Sequence, residues 1–274
     1  MGFREHRAAL FLLNVAENST SNGNQCPACG KAKLSVTNND GTGLLYNCFS
    51  ASCGFKGYLP INNTGLFAKE APAASRATPR PYTGRLVELC SPERDFLRNK
   101  LMFSQYQVDK SGAMIGDGGR YAYPIVDERG ANKGWTLRTY ADGVMPKAIT
   151  YLNHPRNTKS SWYKNDNPDT FPAFNDTVIL VEDIPSAIRV SRYVDAIALL
   201  GTTLDKIDLP LLAFRYDKVC IALDEDAYAN GLKLSGELAG WFSDVATWRI
   251  PMDFKDMKEA MLFRVLSAHA MVKQ

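Results

Sequence analysis

Lys218-Val-Cys-Ile-Ala-Leu-Asp-Glu-Asp226 ends an apolar run in three carboxylates, and Val178-Ile-Leu-Val-Glu182 ends a second in one. Short apolar runs bounded by polar residues read as buried strands. Two such strands finishing in acids deliver carboxylates to one rim of a sheet, which suits a site that holds a divalent cation against phosphate. Strand alternation predicts that Asp224 and Asp226 face the same way while Glu225 points elsewhere. A lone acidic cluster is more often a helix cap or a solvated turn, but the acid at a second strand end argues for a site.

Around these two runs the pattern alternates: strand 178–181, helix 185–193, strand 195–200, helix 205–214, strand 218–223, helix 231–242 and strand 245–250. This is the rhythm of a parallel α/β sheet. Residues 258–269 form a last helix. Upstream, Arg120 to Asp127 and Lys133 to Tyr140 read as two strands of a hairpin joined by Glu128-Arg-Gly-Ala-Asn132. Ser91-Pro92 predicts a helix start, with Ser91 as N-cap and Pro92 at the first helical position. The segment from Pro146-Lys147 to Thr170 reads as a polar loop.

Nearer the N-terminus, Cys26-Pro-Ala-Cys29 and Cys48-Phe-Ser-Ala-Ser-Cys53 flank Leu34-Ser-Val36 and Leu44-Leu-Tyr46, two short strands around the turn Asn38 to Gly43. Four thiolates in two knuckles close a tetrahedral Zn²⁺ site with no open position, hence a structural one. A module this small depends on its metal for much of its folding free energy. Residues 18–25 read as a polar turn, and Ala8 to Ala16 as an amphipathic helix rather than a secretory signal. Residues 62–83, rich in Ala, Pro, Ser and Thr, read as a flexible tether. The expected organisation is therefore 1–61 helix and ribbon, 62–83 linker, 84–170 first part of a core, and 171–274 parallel α/β subdomain.

The 274 residues carry 32 Lys and Arg against 29 Asp and Glu, a net charge of +3. The charge divides unevenly: residues 1–170 hold 21 basic and 14 acidic side chains, residues 171–274 hold 11 and 15. A basic front and an acidic rear suit a polyanion that runs over one part and meets metal ions at the other. No stretch reaches the roughly 18 apolar residues of a membrane helix, so no membrane partner is expected. Four of the six cysteines are spaced for metal and Cys90 and Cys220 stand alone, which predicts a cytoplasmic protein.

Together these pieces resemble the DNA primase family of bacteria and phages: zinc ribbon, tether, then an RNA polymerase core ending in a Toprim fold. Ser91 to Lys100 is similar to the helix that starts that core. Tyr123-Pro-Ile-Val-Asp-Glu-Arg-Gly130 with Gly134 and Arg138, and Pro146-Lys147 followed by Tyr151-Leu-Asn153, resemble its aromatic-Pro-Ile and Pro-Lys-Tyr-Leu-Asn segments. Glu182 matches the strand-borne Toprim Glu, and Asp224 with Asp226 match Asp-x-Asp. Lys255-Asp256 with Glu259 resembles a late Lys-Asp-x-Asn-Glu element, and Gly231 the glycine after Asp-x-Asp. The chain departs from the family's Glu-Gly-x-x-Asp, placing Asp183 at the Gly and Ser186 at the second acid.

The resemblance implies an α/β enzyme, α+β overall, that makes short RNA primers on single-stranded DNA from ribonucleoside triphosphates. It assigns Glu182, Asp224, Asp226 and Asp256 as catalytic. Glu182, Asp224 and Asp226 would hold Mg²⁺ or Mn²⁺, and Arg120, Arg138 and Lys147 the substrate. Cys26, Cys29, Cys48 and Cys53 would hold structural Zn²⁺. Tyr46, Phe49, Phe55 and Tyr58, beside Lys31, Lys33 and Lys56, could stack and track single-stranded bases, or simply pack the ribbon. No Gly-x-x-x-x-Gly-Lys-Ser/Thr occurs in the chain, so a replicative helicase is expected as a separate partner. The competing expectations are a non-catalytic zinc-finger and Toprim recombination mediator, which binds DNA and tolerates the missing acid, and a Toprim nuclease.

Overall fold

A computed structural model describes residues 10, 13, 15–16, 18–38, 43–51, 53, 55–60, 80–166 and 171–271. The expected N-terminal helix lies mostly outside the described residues, as does the tether through residue 79. The chain divides into two compact units, residues 1–73 with 206–218 and 236–245, and residues 74–205 with 219–235 and 246–274.

The ribbon is a four-stranded antiparallel sheet in the order β1-β2-β3-β4, formed by Ser19–Asn24, Leu34–Asn38, Gly43–Cys48 and Lys56–Pro60. Leu34, Val36, Leu44 and Leu59 bury themselves around Cys26 and Cys48. The stretch expected as a polar turn is strand β1. It is an edge strand whose polar side chains stay largely exposed, with the Thr20 and Thr37 hydroxyls bonded at 2.9 Å, so it shows no apolar alternation to read.

A second antiparallel sheet follows the order β5-β6-β7-β8-β9: Val87–Glu88, Met114–Ile115, Tyr121–Val126, Asn132–Arg138 and Ala148–Leu152. The expected hairpin is β7–β8, with Tyr121 opposite Arg138 and Tyr123 opposite Thr136. Strand β9 runs through what reads as a loop, and Gly134 explains how closely it can pair. A Cβ there would stand 2.1 Å from the Tyr151 carbonyl oxygen, so only glycine lets the strands approach.

Helices α1 (Ser91–Lys100) and α2 (Gln105–Lys110) precede this sheet's long hairpin. The N-cap of α1 is Cys90 and not Ser91, and Glu93 Oε2 accepts the Cys90 backbone N–H at 3.0 Å. The Pro92 ring therefore sits one residue deeper than expected, still within the first turn where its missing donor is harmless.

The remaining sheet has the order β10-β12-β11-β13-β14, from Ser161–Tyr163, Asp195–Ala198, Thr177–Val181, Lys218–Ile221 and Asp244–Thr247. β11 and β12 run parallel, as the alternating pattern requires, while β10 adds an antiparallel edge. β10 was expected as loop; its three residues are all buried, and so short a run carries no period. The helices are α3 (Ile184–Val190), α4 (Leu209–Arg215), α5 (Tyr228–Leu238) and α6 (Glu259–Met271). Every residue of β11 is buried, as expected of a central strand covered on both faces. Gly231 lets α5 lie close on the sheet, since a Cβ there would meet Thr247 Cγ2 at 3.2 Å. One apolar core joins Leu97 and Leu101 of α1 and its C-cap, Tyr123 and Ile125 of β7, Ile179 and Val181 of β11, and Leu262 and Leu266 of α6.

Candidate active site

The four ribbon cysteines converge. Cys26 and Cys53 sulfurs lie 3.8 Å apart, as do those of Cys29 and Cys48. All four ligand atoms fall within 4.8 Å of one another, the only such set of metal-ligating side chains among the described residues. The Lys31 backbone amide is the leading cause that lowers the Cys29 thiol to about 7. The Phe55 amide favours the Cys53 thiolate, yet burial and the neighbouring sulfurs push that thiol up to about 12. Four soft donors crowded so closely cannot all ionise without a cation, and Zn²⁺ is the ion this set fits. Of the ribbon aromatics, Phe49 is 67% exposed, whereas Tyr46 and Phe55 pack on each other at 4.8 Å. The Tyr58 side chain lies outside the described residues.

The acidic residues of the second unit meet at the end of β11 and β13. Glu182 follows β11 directly. β13 ends at Ile221, so Asp224 and Asp226 lie beyond it, Asp224 capping the 3-10 turn Glu225–Ala227. Strand alternation therefore does not set their directions; the turn does. Glu225 is drawn outward to Arg249 at 3.1 Å, and Asp226 is exposed. Adjacent strands place the acids close enough to repel. Burial, then Asp183 and Asp226, push the half-buried Glu182 carboxyl up. Burial raises Asp224 to about 7, with Asp253, Asp183 and Glu182 adding to it against the pull of Lys255.

One residue of this rim, Asp253, carries no motif signal of its own. Asp253 precedes the 3-10 turn Phe254–Asp256 and contacts Lys255 directly. The Lys255 ammonium, 9% exposed, also lies 3.2 Å from Asp183 and 3.9 Å from Asp224. Asp183, at the position where the resembled family has glycine, is buried and bridges two cations. Its Oδ2 accepts Arg138 Nη1 at 2.6 Å as well as meeting Lys255, and its Oδ1 accepts the Ser186 backbone N–H at 2.9 Å, capping α3. Burial would raise this carboxyl, but Arg138 and Lys255 outweigh it and hold it below the usual range. Arg138 is thereby fixed at the rim from β8, with a buried Nε–H that has no hydrogen-bond partner among the described residues.

The other expected residues are less converged. Arg120 spends its guanidinium on the Pro146 carbonyl at 2.8 Å, bracing the β8–β9 connection. Lys147 is exposed on that connection, one residue before β9. Asp256, expected among the catalytic acids, is exposed, while Asp253 contacts Lys255. Glu259 bonds Arg189 at 3.0 Å and Arg192 at 2.8 Å. Glu182, Asp224, Asp226 and Asp253 offer oxygen donors of the type a hard divalent cation takes, but no three of their carboxylates converge as the cysteines do.

No protein family's model matches the chain, and no curated protein matches it. Solved structures do. The DnaG primase catalytic domain bound to single-stranded DNA superposes with a TM-score of 0.50 and 15% identity, over 67% of this chain and 71% of that one. A DnaG catalytic core gives 0.49 and 16%, over 65% and 73%. The zinc-binding and RNA polymerase domains of the Aquifex aeolicus primase give 0.42 and 18%, over 68% and 50%. At these identities the likeness is one of fold: the chain shares the primase catalytic-core fold, and its four-cysteine cluster fits a zinc ribbon. Among the described residues no helix is long and apolar enough to cross a membrane.

Proposed function

We propose that this chain is a DNA primase, a nucleotidyltransferase that joins ribonucleotides on a single-stranded DNA template, with a Toprim subdomain carrying the chemistry. The observation that carries the reading is the meeting of Glu182, Asp224 and Asp253 with Arg138 and Lys255 at one rim of a primase-type core. Primer synthesis needs a 3′-hydroxyl to attack an α-phosphorus in line with departing pyrophosphate. When bound, Mg²⁺ or Mn²⁺ would lower the pKa of that hydroxyl and neutralise triphosphate charge. Glu182, Asp224 and Asp226 would hold the ion. Arg138, with its direction set by Asp183 and an Nε–H unspent, would orient phosphate oxygens, and Lys147 would add a mobile positive charge beside it. Asp256, expected among the catalytic acids, is exposed and is replaced in this reading by Asp253. The four cysteines would hold structural Zn²⁺, and exposed Phe49 with Lys31, Lys33 and Lys56 offers a surface for single-stranded bases.

The test incubates the protein with single-stranded templates, ribonucleoside triphosphates and Mg²⁺ or Mn²⁺, and resolves products on a sequencing gel. Short RNA is expected from the wild type and none from Asp224→Ala or Glu182→Ala. Template binding without product would replace this reading by a DNA-binding mediator, and template degradation would replace it by a nuclease.

A further inference from the structure

Two groups of different kinds hold Arg138. The Asp183 carboxylate accepts its Nη1 at 2.6 Å. Its guanidinium carbon also lies 5.5 Å from the centroid of the Tyr140 ring, within cation–π range. The backbone brings these two residues together. Arg138 ends β8, and the Thr139 N–H still reaches the Lys147 carbonyl at 2.9 Å, so pairing continues and Tyr140, two residues on, falls on the same face as Arg138. The ring is itself anchored. Its hydroxyl lies 2.8 Å from that of Tyr123, a fully buried residue of β7, and it packs at 5.5 Å on both Phe96 of α1 and Tyr121 of β7. Burial raises both phenols, so neither ionises near neutral pH. Tyr140 is thus a neutral, fixed surface beside a fixed charge.

Resting on the reading of Arg138 as a phosphate-orienting group, we propose that Tyr140 is a positioning residue: its ring, locked by Tyr123, fixes the plane of the Arg138 guanidinium for a nucleotide phosphate. A second carboxylate would hold the guanidinium too, but it would consume N–H donors and cancel positive charge. An aromatic face does neither, because it attracts the cation through the ring quadrupole and accepts no N–H that a phosphate oxygen needs. The donor inventory agrees: the buried Arg138 Nε–H has no hydrogen-bond partner among the described residues. With Asp183 as its only restraint, one hydrogen bond at Nη1 would leave the guanidinium plane free to turn about that contact. The side chain is 21% exposed, so water replaces little of what the ring supplies. Loss of such a contact in a partly desolvated site weakens phosphate holding by about tenfold.

The test labels arginine with ¹⁵N in the zinc-loaded full chain and follows the Arg138 guanidinium by NMR, with Arg138→Lys identifying its signals. Separate Nη resonances, the mark of a guanidinium that does not turn freely about Nε–Cζ, are expected for the wild type and for Tyr140→Phe, which keeps the ring. Averaged resonances are expected for Tyr140→Leu, which keeps Asp183 but has no ring. Averaging in the wild type, or separate resonances in a folded Tyr140→Leu protein, would overturn the proposal. Should Tyr140→Leu fail to fold, Tyr140→Met, whose unbranched chain fills the space without a ring, is read in the same way. Primer synthesis from ribonucleoside triphosphates, measured alongside, separates this inference from the reading on which it rests. Tyr140→Leu should raise KM about tenfold with kcat within about twofold of wild type, and Tyr140→Phe should restore KM. A merely structural role would lower Tm without that split, and a lowered kcat at unchanged KM would overturn the proposal. Separate Nη resonances that depend on the ring, in a wild type that makes no RNA, would leave the hold of Tyr140 on Arg138 standing and overturn the primase assignment.

Discussion

Replacing Asp183 with alanine removes the only carboxylate among the described residues that bridges Arg138 and Lys255, and it removes the N-cap of α3 in the same step. Both cations are largely enclosed, with side-chain exposures of 21% and 9%. Breaking a buried ion pair from one side costs about 3–5 kcal/mol where the remaining charge has no compensation, which is the case for Arg138, whereas Lys255 keeps Asp253 and Asp224. Loss of an Asp cap costs about 1 kcal/mol. The two effects share one side chain and do not add, so a net loss of about 4 kcal/mol is expected. For a unit of this size that corresponds to a fall in Tm of about 8–16 °C. Differential scanning calorimetry at pH 7 measures it on the transition of the larger unit. Asp183→Asn, which keeps a capping oxygen but not the charge, should fall between. Because the Asp183 carboxyl is held below its ordinary value, its stabilisation is present above the unfolded pKa and is lost as pH falls through the folded one. The gap between variant and wild type should therefore narrow below about pH 4. An Asp183→Ala protein melting within about 2 °C of wild type at pH 7 would refute the reasoning, since it would mean that Arg138 needs no carboxylate partner.

Other consequences are as direct. Stripping zinc with a strong chelator, or substituting Cys48→Ser, should unfold the ribbon and leave the second unit's transition in place, checked by circular dichroism and limited proteolysis. Asp224 has its pKa raised to about 7, so its contribution to stability is present at low pH and is lost as pH rises through that value. Metal-free protein should lose stability between about pH 4 and 7, and added Mg²⁺ should restore it, visible as a pH-dependent Tm shift. Arg189→Met should cost about 1–3 kcal/mol in urea denaturation, because it leaves the Met257 carbonyl without the Nη2 donor that holds it at 2.7 Å, while Glu259 keeps Arg192. It should also weaken rim metal binding by loosening the segment that carries Asp253 and Lys255.

How much of this was legible beforehand differs from element to element. The hydrophobic runs 178–181 and 218–223 announced buried strands because a strand covered on both faces has no polar face to interrupt it. The cysteine spacing announced the ribbon because a tetrahedral site demands four thiolates in two knuckles. Strands β1, β9 and β10 did not announce themselves: β1 is polar and on an edge, β9 alternates weakly, and β10 has three residues. Their pairing is supplied by neighbours distant in sequence, which no local pattern records.

For the rim, residue types and order along the chain were enough to nominate Glu182, Asp224, Asp226 and Arg138, since strand ends of one sheet must share an edge. The sequence by itself thus nominated Glu182, Asp224 and Asp226 for that edge and placed a four-cysteine ribbon before them. Only the tertiary structure decided that Asp183 is spent on Arg138 and Lys255, and that Asp253 stands beside the lysine. It also decided that Glu225 turns away to Arg249. The reason is physical: a charge's role depends on which opposite charges lie within about 4 Å and how much water separates them, and both are set by the packing of segments far apart in the chain.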